Sequence, residues 1–287
     1  MIWRSCGKTA GKTAAVQLTL LEIALEIKRV CEENGIRYFL CCGTFLGAVR
    51  HQGFIPWDDD LDIGMPREDY ERFCAIAPEK LGPRFCLQSW YTEPRYALPF
   101  AKVRMRDTLY LEAKSPALPE NGFYVDLFPF DNAPGEPESQ AAHARALCTL
   151  FRMKLMKSGN KPWMDGDRIV WKKRLGYLYY QCKALGISAQ EIAGRYDALA
   201  RSVPETGILC RQRGLSRLDC YRADWYEDLT LYSFEGELFP GPARFDDVLT
   251  AQFGDYHQLP PEGERENRHQ IVKVDFGPWG DGGEKKQ

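Results

Sequence analysis

The fold of this chain is decided by residues 42–65, CGTFLGAVRHQGFIPWDDDLDIGM. A buried apolar strand is predicted at residues 36–42, and a turn at Gly43 and Thr44 leads from it into a short helix. Glycine and proline then mark a loop, and the apolar pattern of residues 61–65 predicts a second strand. The segment therefore predicts a strand, a helix and a strand, with aspartates clustered where the loop meets the second strand.

Patterns on both sides of this segment extend the prediction to an α+β fold. Residues 20–31 repeat apolar side chains at helical spacing, and Gly35 is expected to end that helix. Pro66 is expected to open a further helix. Short strands are predicted at 85–88, 100–105, 109–112 and 122–128, and helices at 139–157, 167–185 and 188–201. We therefore expect a mixed sheet flanked by helices, with an added C-terminal helical region.

Turn-forming residues indicate where the parts of the chain begin and end. The clearest break is the proline- and glycine-containing stretch at 132–138. Residues 7–13 resemble a phosphate-binding P-loop, but only three residues separate Gly7 from Gly11, where that motif needs four. The sequence predicts a disordered tail, an α+β core, a mainly helical region packed on the core and a second tail, at 1–15, 16–135, 136–275 and 276–287.

Charge and hydropathy exclude several classes of function. The chain has 38 basic and 40 acidic residues, a formal net charge of -2, and so lacks the broad positive field of a duplex nucleic-acid binder. Glu22 and Glu26 interrupt the apolar stretch at 18–30, so neither a transmembrane segment nor a secretory signal is predicted. The ten cysteines contain no CxxC pair and are expected to be reduced thiols. We expect a cytoplasmic protein.

Carboxylates are concentrated in residues 58–62, four of which are aspartates. Two carboxylates about 5 Å apart repel by about 3 kcal/mol at an effective dielectric near ~20, so a divalent cation is their natural partner. In a strand, Asp60 and Asp62 point the same way and can share a metal, and Mg²⁺ suits such oxygen ligands. A solvated turn is the alternative. A calcium loop is disfavoured because Ile63 occupies the position that requires glycine.

A third carboxylate, Asp126, is isolated in the apolar strand at residues 122–128. Burying it unpaired would be costly, so either a metal or a cation is expected to meet it. Lys102 and Arg104 lie two apart on one strand face and are the candidate cations, although they could instead contact phosphate. Both interpretations of Asp126 stay open.

Gly43 and Thr44 form a weaker candidate site at the start of the predicted helix. Backbone N–H groups and a hydroxyl at such a turn can face an anion. An ordinary strand-to-helix turn gives the same pattern. The nearby aspartates favour a phosphate that is held at this turn and reaches a metal bound by Asp60 and Asp62.

Residues 42–65 taken together closely resemble the LicD family. The likeness extends to VDLFP at 125–129, FGDY at 253–256 and LPP at 259–261, and so covers most of the chain. The resemblance implies a fold related to the polymerase-beta nucleotidyltransferases, in which a glycine-containing turn precedes a pair of metal-binding aspartates. One departure is Cys42, which stands where many relatives have a first glycine.

The resemblance also implies an activity. LicD proteins are associated with moving phosphocholine from CDP-choline onto cell-surface glycans such as teichoic acid or lipopolysaccharide, and the related fukutin proteins transfer ribitol phosphate from CDP-ribitol. We therefore expect Mg²⁺-dependent transfer of a phospho-alcohol from a CDP-alcohol to a glycan hydroxyl with release of CMP, with Mn²⁺ as an alternative ion. A lipid-linked glycan acceptor would place the protein at the inner face of the membrane.

The resemblance assigns roles to particular residues. Asp60, Asp62 and Asp126 would be catalytic and bind the metal, and Asp126 would also help to deprotonate the attacking hydroxyl. The substrate and its phosphates would be oriented by Gly43, Thr44, Arg50, Trp57, Lys102 and Arg104. Trp57 would face a quaternary ammonium group, with core packing as its alternative.

Two other functions stay open: nucleotidyl transfer from an NTP to a small-molecule or sugar hydroxyl, and metal-dependent glycan binding without turnover.

Overall fold

The chain contains both helices and strands, which confirms the α+β class. The structure, a computed structural model, describes residues 8–112, 118–165, 168–215, 217–265 and 271–279. The helices are α1 Lys8–Asn34, α2 Cys42–His51, α3 Arg67–Lys80, α4 Pro137–Lys157, α5 Trp171–Lys183, α6 Ala189–Ala200 and α7 Phe245–Phe253. The strands are β1 Phe39–Leu40, β2 Asp62–Pro66, β3 Phe85–Gln88, β4 Ala101–Met105, β5 Leu109–Glu112, β6 Tyr124–Asn132, β7 Met164–Asp165, β8 Arg168–Ile169, β9 Ile208–Arg213, β10 Arg217–Arg222, β11 Leu229–Phe234, β12 Glu237–Pro242 and β13 Ile271–Asp275.

A mixed sheet forms the centre of the molecule. Its strand order is β1-β2-β6-β4-β3, and β9 with β10 extends it from β6. Strands β2 and β6 run parallel, whereas β4 is antiparallel to β6. In this register Asp126 lies opposite Asp62 on one side and opposite Lys102 on the other. The sheet therefore brings these three predicted site residues into adjacent strands.

Helix α1 covers the sheet with a continuous apolar face. Leu20, Ile23, Ile27 and Val30 have no exposed surface, as the helical spacing of these residues predicts. Each such side chain contributes about 1.5–3 kcal/mol when it leaves water. No helix within the described ranges has the length and apolar character that a membrane crossing requires.

The structure corrects three predictions about short segments. Helix α1 begins at Lys8, so residues 8–15 are helical rather than part of a tail, while residues 1–7 lie outside the described part of the chain. The strand predicted at 36–42 is confined to Phe39–Leu40, because Cys42 already begins α2. At the other end, the indole of Trp279 donates a hydrogen bond to Arg106 O (3.2 Å), so the described start of the second predicted tail packs on the protein.

The region predicted as mainly helical also supplies strands. Helices α4, α5 and α6 are present as predicted, but β9 to β13 follow them. Strand β9 pairs with β6, with Cys210 opposite Asp131, and β13 pairs with β5. Helices therefore dominate residues 137–200 and strands the residues beyond 200, where β9 and β13 complete sheets that the first half of the chain begins.

A buried ion cluster joins helices from the two halves of the chain. Arg67 at the start of α3 donates two hydrogen bonds to Asp131 of β6, at 2.6 and 2.7 Å. The same guanidinium lies 3.6 Å from Asp197 of α6, whose carboxylate also accepts a hydrogen bond from the hydroxyl of Tyr91 (2.5 Å). Buried charges need such partners, since an unpaired one would be expensive to desolvate.

Candidate active site

A cleft of ≈ 730 Å³ opens beside the start of α2. One wall comes from α2 and the segment that leads from it to β2, another from β9 and β10, and the rim from residues 252–261. The polar and charged side chains that line it include Arg50, Asp58, Asp60, Asp62, Arg211, Arg213 and Asp219. The cleft therefore has one wall rich in carboxylates and another that carries guanidinium groups.

Small residues let the aspartate-bearing loop pack closely on α2. A Cβ atom at Gly43 would lie 3.0 Å from Asp58 Oδ2, and one at Gly47 would lie 2.5 Å from Gly53 O. From the other side, Gln17 of α1 donates a hydrogen bond to the carbonyl of Asp58 (2.8 Å). Helix α1 and the two glycines together fix the position of the loop.

The aspartates of this loop alternate in direction, as extended backbone requires. Asp58, Asp60 and Asp62 line the cleft. Asp59 points into the protein, where it is buried and accepts a hydrogen bond from the hydroxyl of Tyr110 (2.8 Å). Carboxylate oxygens of Asp58, Asp59 and Asp60 all lie within 4.8 Å of one another. The predicted pair Asp60 and Asp62 is thus joined in the cleft by Asp58, which sequence reasoning did not select.

Asp126 has a cation as its partner, one of the two arrangements that the sequence left open. Lys102 Nζ lies 2.6 Å from Asp126 Oδ1, and the ammonium group also lies over the ring of Tyr124, 3.3 Å from its centroid. Burial lowers the pKa of Lys102, while the negative charge of Asp126 acts in the opposite direction. The ion pair lies beside Asp62, in the neighbouring strand β6, and Asp126 is not among the residues that line the cleft.

Two carboxylates at the site have raised pKa values, and a bound cation would favour their ionised forms. Burial raises the pKa of Asp62 well above its usual value, and the neighbouring Cys42, Asp60 and Asp126 raise it further. Burial likewise raises the pKa of Asp126, although Lys102 opposes the shift. Clustered carboxylate oxygens with raised pKa values fit a hard divalent ion, which prefers oxygen ligands and would restore the ionised forms. The metal role of Asp60, Asp62 and Asp126 remains a prediction.

Two of the predicted phosphate ligands make structural contacts instead. The hydroxyl of Thr44 accepts a hydrogen bond from the backbone N–H of Asp62 (2.8 Å) and so ties α2 to β2. Arg104 is buried and donates to Gln88 Oε1 and to the carbonyl of Gly122, each at 2.6 Å. Neither residue lines the cleft. With Lys102 paired to Asp126, all three contacts belong to the framework behind the site.

The other predicted substrate contacts do lie at the cleft. Gly43, Arg50 and Trp57 line it. Arg50 Nη1 donates a hydrogen bond to the carbonyl of Tyr256 (2.7 Å) and so holds the rim at 252–261 against α2. The guanidinium of Arg265 lies over the ring of Trp57, 5.7 Å from its centroid, so this indole already attracts a cation.

Cys42 adopts a backbone conformation that normally favours glycine. Its φ angle is 55°, in the left-handed region that a side chain makes unfavourable. The family resemblance implies a glycine at this position, and the positive φ angle is a physical reason for one. The thiols of Cys41 and Cys42 lie 3.6 Å apart, and Cys42 lines the cleft.

Arg211 and Arg213 are cleft residues that the sequence analysis did not select. Arg211 is buried, its guanidinium lies 3.1 Å from Asp219, and its Nε finds no hydrogen-bond partner among the described residues. Asp219 also lies 3.5 Å from Arg213 and 3.3 Å from Arg217. The sequence alone does not mark Arg211 and Arg213 as site residues, because their strand reaches the cleft only through the pairing of β9 with β6.

Carboxylates and guanidinium groups line the same cleft, which combines oxygen ligands with donors that can bind an anion. Residues 35–146 match the family described as LicD/FKTN/FKRP, nucleotidyltransferase domain. The chain therefore carries a LicD-family domain, which confirms the predicted resemblance.

Individual relatives agree with that family. The chain is 26% identical over 263 residues to the lipopolysaccharide cholinephosphotransferase LicD of Haemophilus influenzae, across 88% of this chain and 94% of that protein. It is 31% identical over 111 residues to the ribitol 5-phosphate transferase FKRP of Homo sapiens, and 48% identical over 111 residues to that of Mus musculus. These matches cover 39% of this chain and only 20% of either FKRP protein.

Proposed function

We propose that the chain transfers a phospho-alcohol, with phosphocholine as the first choice, from a CDP-alcohol to a hydroxyl of a cell-surface glycan. The observation that carries the proposal is the pairing of Asp58, Asp60 and Asp62 on one wall with Arg211 and Arg213 on the other. The long match to the lipopolysaccharide cholinephosphotransferase favours phosphocholine, and the match to FKRP favours phospho-alcohol transfer in general. The nucleotidyltransferase fold that the family name implies is part of the same proposal.

A divalent ion, Mg²⁺ with Mn²⁺ as the alternative, would be held by Asp60 and Asp62, with Asp58 and Asp126 nearby. When bound, it would neutralise charge on the transferring phosphoryl group. The raised pKa of Asp62 supports the presence of a cation, because the clustered carboxylates otherwise disfavour ionisation.

Arg211 is proposed to bind the diphosphate of the donor. Its guanidinium is buried at the cleft, and its Nε has no hydrogen-bond partner among the described residues. A planar guanidinium can donate two parallel hydrogen bonds to phosphate oxygens, which fixes their orientation as well as their position. Arg213, also at the cleft, would add a second positive charge to the same wall.

The reaction itself would be an in-line displacement at the phosphorus that carries the alcohol. The glycan hydroxyl forms the new P–O bond, the P–O bond to CMP breaks, and the hydroxyl proton passes to a carboxylate. Asp126 is the proposed final acceptor, reached from the cleft through Asp62, its neighbour in the adjacent strand, and the ammonium group of Lys102 lies 2.6 Å from its carboxylate. Gly43 and the first turn of α2 would lie along the donor, with Trp57 at the rim for a quaternary ammonium group.

Ligand binding and product identity test the proposal. Thermal unfolding with Mg²⁺ would be followed in the presence of CDP-choline, CDP-ribitol, CDP-glycerol or CTP, for the wild type, Asp60→Asn and the exposed control Asp228→Asn. A ligand at about 100 times its Kd should stabilise the fold by roughly 2.7 kcal/mol. We expect a Mg²⁺-dependent shift with one CDP-alcohol that only Asp60→Asn abolishes, and CMP as the product once an acceptor glycan is added. A shift with CTP alone, with pyrophosphate as product, would replace the proposal by nucleotidyl transfer, and binding without any product would replace it by glycan binding without turnover.

A further inference from the structure

Helix α5 exposes an apolar stripe that the other described parts of the chain do not cover. Trp171, Leu175, Leu178 and Tyr179 are 68%, 67%, 48% and 56% exposed, and none of the residues in α5 is buried. Positions 171, 175, 178, 179 and 182 follow helical spacing and so lie along one face. A helix that packs only on its own protein normally turns such a stripe inward, so this face is available to another surface.

Residues outside the stripe make the contacts that hold α5 in place. The guanidinium of Arg174 lies 4.4 Å from the ring centroid of Trp163, and the hydroxyl of Tyr180 accepts a hydrogen bond from Arg152 Nη1 (2.8 Å). The apolar stripe therefore contributes little to the packing of α5 on α4.

The charge of α5 identifies the surface that it fits. Residues 171–183 contain Lys172, Lys173, Arg174 and Lys183 and no acidic residue, in a chain whose formal net charge is -2. Lys183 Nζ lies 5.1 Å from the ring centroid of Tyr179, so a cation borders the stripe directly. Exposed apolar and aromatic side chains beside lysines are the combination that binds the interface of an anionic membrane.

Positive charge continues from α5 into an adjoining cleft. This second cleft, of ≈ 580 Å³, is lined by Lys183, Arg145 and Arg195 together with apolar side chains such as Leu150 and Met153. The guanidinium of Arg195 pairs with Glu191 (2.7 Å), so Arg145 and Lys183 supply the cleft's net positive charge. A phosphate headgroup fits such a combination of cations and apolar surface.

We propose that α5 docks the protein peripherally on a membrane that carries anionic lipids. The stripe at 171–182 would enter the headgroup region, while Lys172 and Lys183, which border it on the helix, would contact lipid phosphates. A second copy of this chain fits the same face poorly, because two sets of four cations would be brought together. The docking does not rest on the proposed transferase activity, since its residues are separate from the carboxylate cleft.

Vesicle binding by the full chain tests the docking. Sedimentation would compare vesicles of phosphatidylglycerol and phosphatidylcholine with vesicles of phosphatidylcholine alone, at low and high salt. We expect binding to the anionic vesicles that salt weakens and that Lys172→Glu reduces about tenfold. The double variant Trp171→Ser/Leu175→Ser should lose binding to a similar or greater extent. The matched controls are Lys80→Glu and Leu231→Ser, which change exposed residues away from α5 and should bind as the wild type does.

Several outcomes would overturn the docking. They are an absence of binding to anionic vesicles, equal binding by the α5 variants and their controls, and a concentration-dependent dimer that Trp171→Ser/Leu175→Ser dissolves. Because these side chains make no buried contacts, the variants should unfold at the wild-type temperature, which separates lost docking from lost structure.

Discussion

The two walls of the carboxylate cleft differ in how they are assembled and in how their charges are balanced. The acidic wall comes from one continuous segment, residues 42–62, whereas the basic wall needs β9 and β10, far along the chain. Asp219 on the basic wall is surrounded by three arginines, while Asp126 behind the acidic wall has Lys102 beside it. Carboxylates therefore predominate on one wall and guanidinium groups on the other. A cation would compensate the first, and an anionic ligand the second.

The largest effect is expected behind the acidic wall. Lys102→Met should destabilise the protein by about 3–5 kcal/mol at neutral pH, because it leaves the Asp126 carboxylate buried without its cation. Urea unfolding would measure the change. The double variant Lys102→Met/Asp126→Val should recover much of the loss, since it removes both charges together. A single variant that loses less than about 1 kcal/mol would show that the acidic wall does not depend on this ion pair.

A smaller effect is expected on the basic wall. Arg211→Lys should weaken the binding of CDP-choline about 10- to 100-fold, because it removes charge-assisted hydrogen bonds worth about 1.5–3 kcal/mol. Calorimetric titration in the presence of Mg²⁺ would measure it. Arg217→Lys is the matched control, since Arg217 also contacts Asp219 but does not line the cleft. Equal weakening by both variants would mean that the wall acts through its overall charge and not through Arg211.

The smallest expected effect concerns the pH dependence of the acidic wall. The pKa of Asp62 is raised in the folded protein by burial and by its neighbours, so the folded state holds the proton more tightly than the unfolded state does. Metal-free stability should therefore fall as pH rises above about 4 through the raised pKa. Asp62→Asn should remove this fall and stabilise the metal-free protein at neutral pH by about 1 kcal/mol.

Thermal unfolding between acidic and neutral pH, with and without Mg²⁺, would check this expectation. The gain in Asp62→Asn should vanish at low pH, where the wild-type carboxyl is protonated, and should shrink when Mg²⁺ stabilises the wild type. Asp228→Asn, at an exposed site, should show neither behaviour. A variant less stable than the wild type at neutral pH would contradict a strained carboxylate at position 62.

Much of the acidic wall could be predicted from sequence because its information is local. Asp60 and Asp62 follow from alternation along a strand, and the isolation of Asp126 in an apolar strand required either a metal or the cation that the structure provides. Asp58 follows the same alternation and also lines the cleft. It lies in the loop before the predicted strand, so the strand pattern alone did not select it. The fold class and most strands of the first half follow from the same short-range patterns.

The remaining features depend on contacts between distant residues. Thr44 and Arg104 are polar residues beside a site, and only the structure shows that they satisfy backbone and side-chain groups of the framework. Arg211 looks like an ordinary charged residue until β9 pairs with β6. Strands β10 and β12 contain charges, glycine or proline, so their alternation is too weak to separate them from loops.

The ion cluster of Arg67, Asp131 and Asp197 bears on how the molecule unfolds. Its members belong to α3, β6 and α6, so separating the helices at 137–200 from the sheet would break the contact of the Arg67 guanidinium with Asp197, at a cost in free energy. That penalty couples the two halves into one cooperative unit. A fragment that ends after β6 would lack Asp197, and the intact chain is expected to melt in a single calorimetric transition in which sheet and helices are lost together.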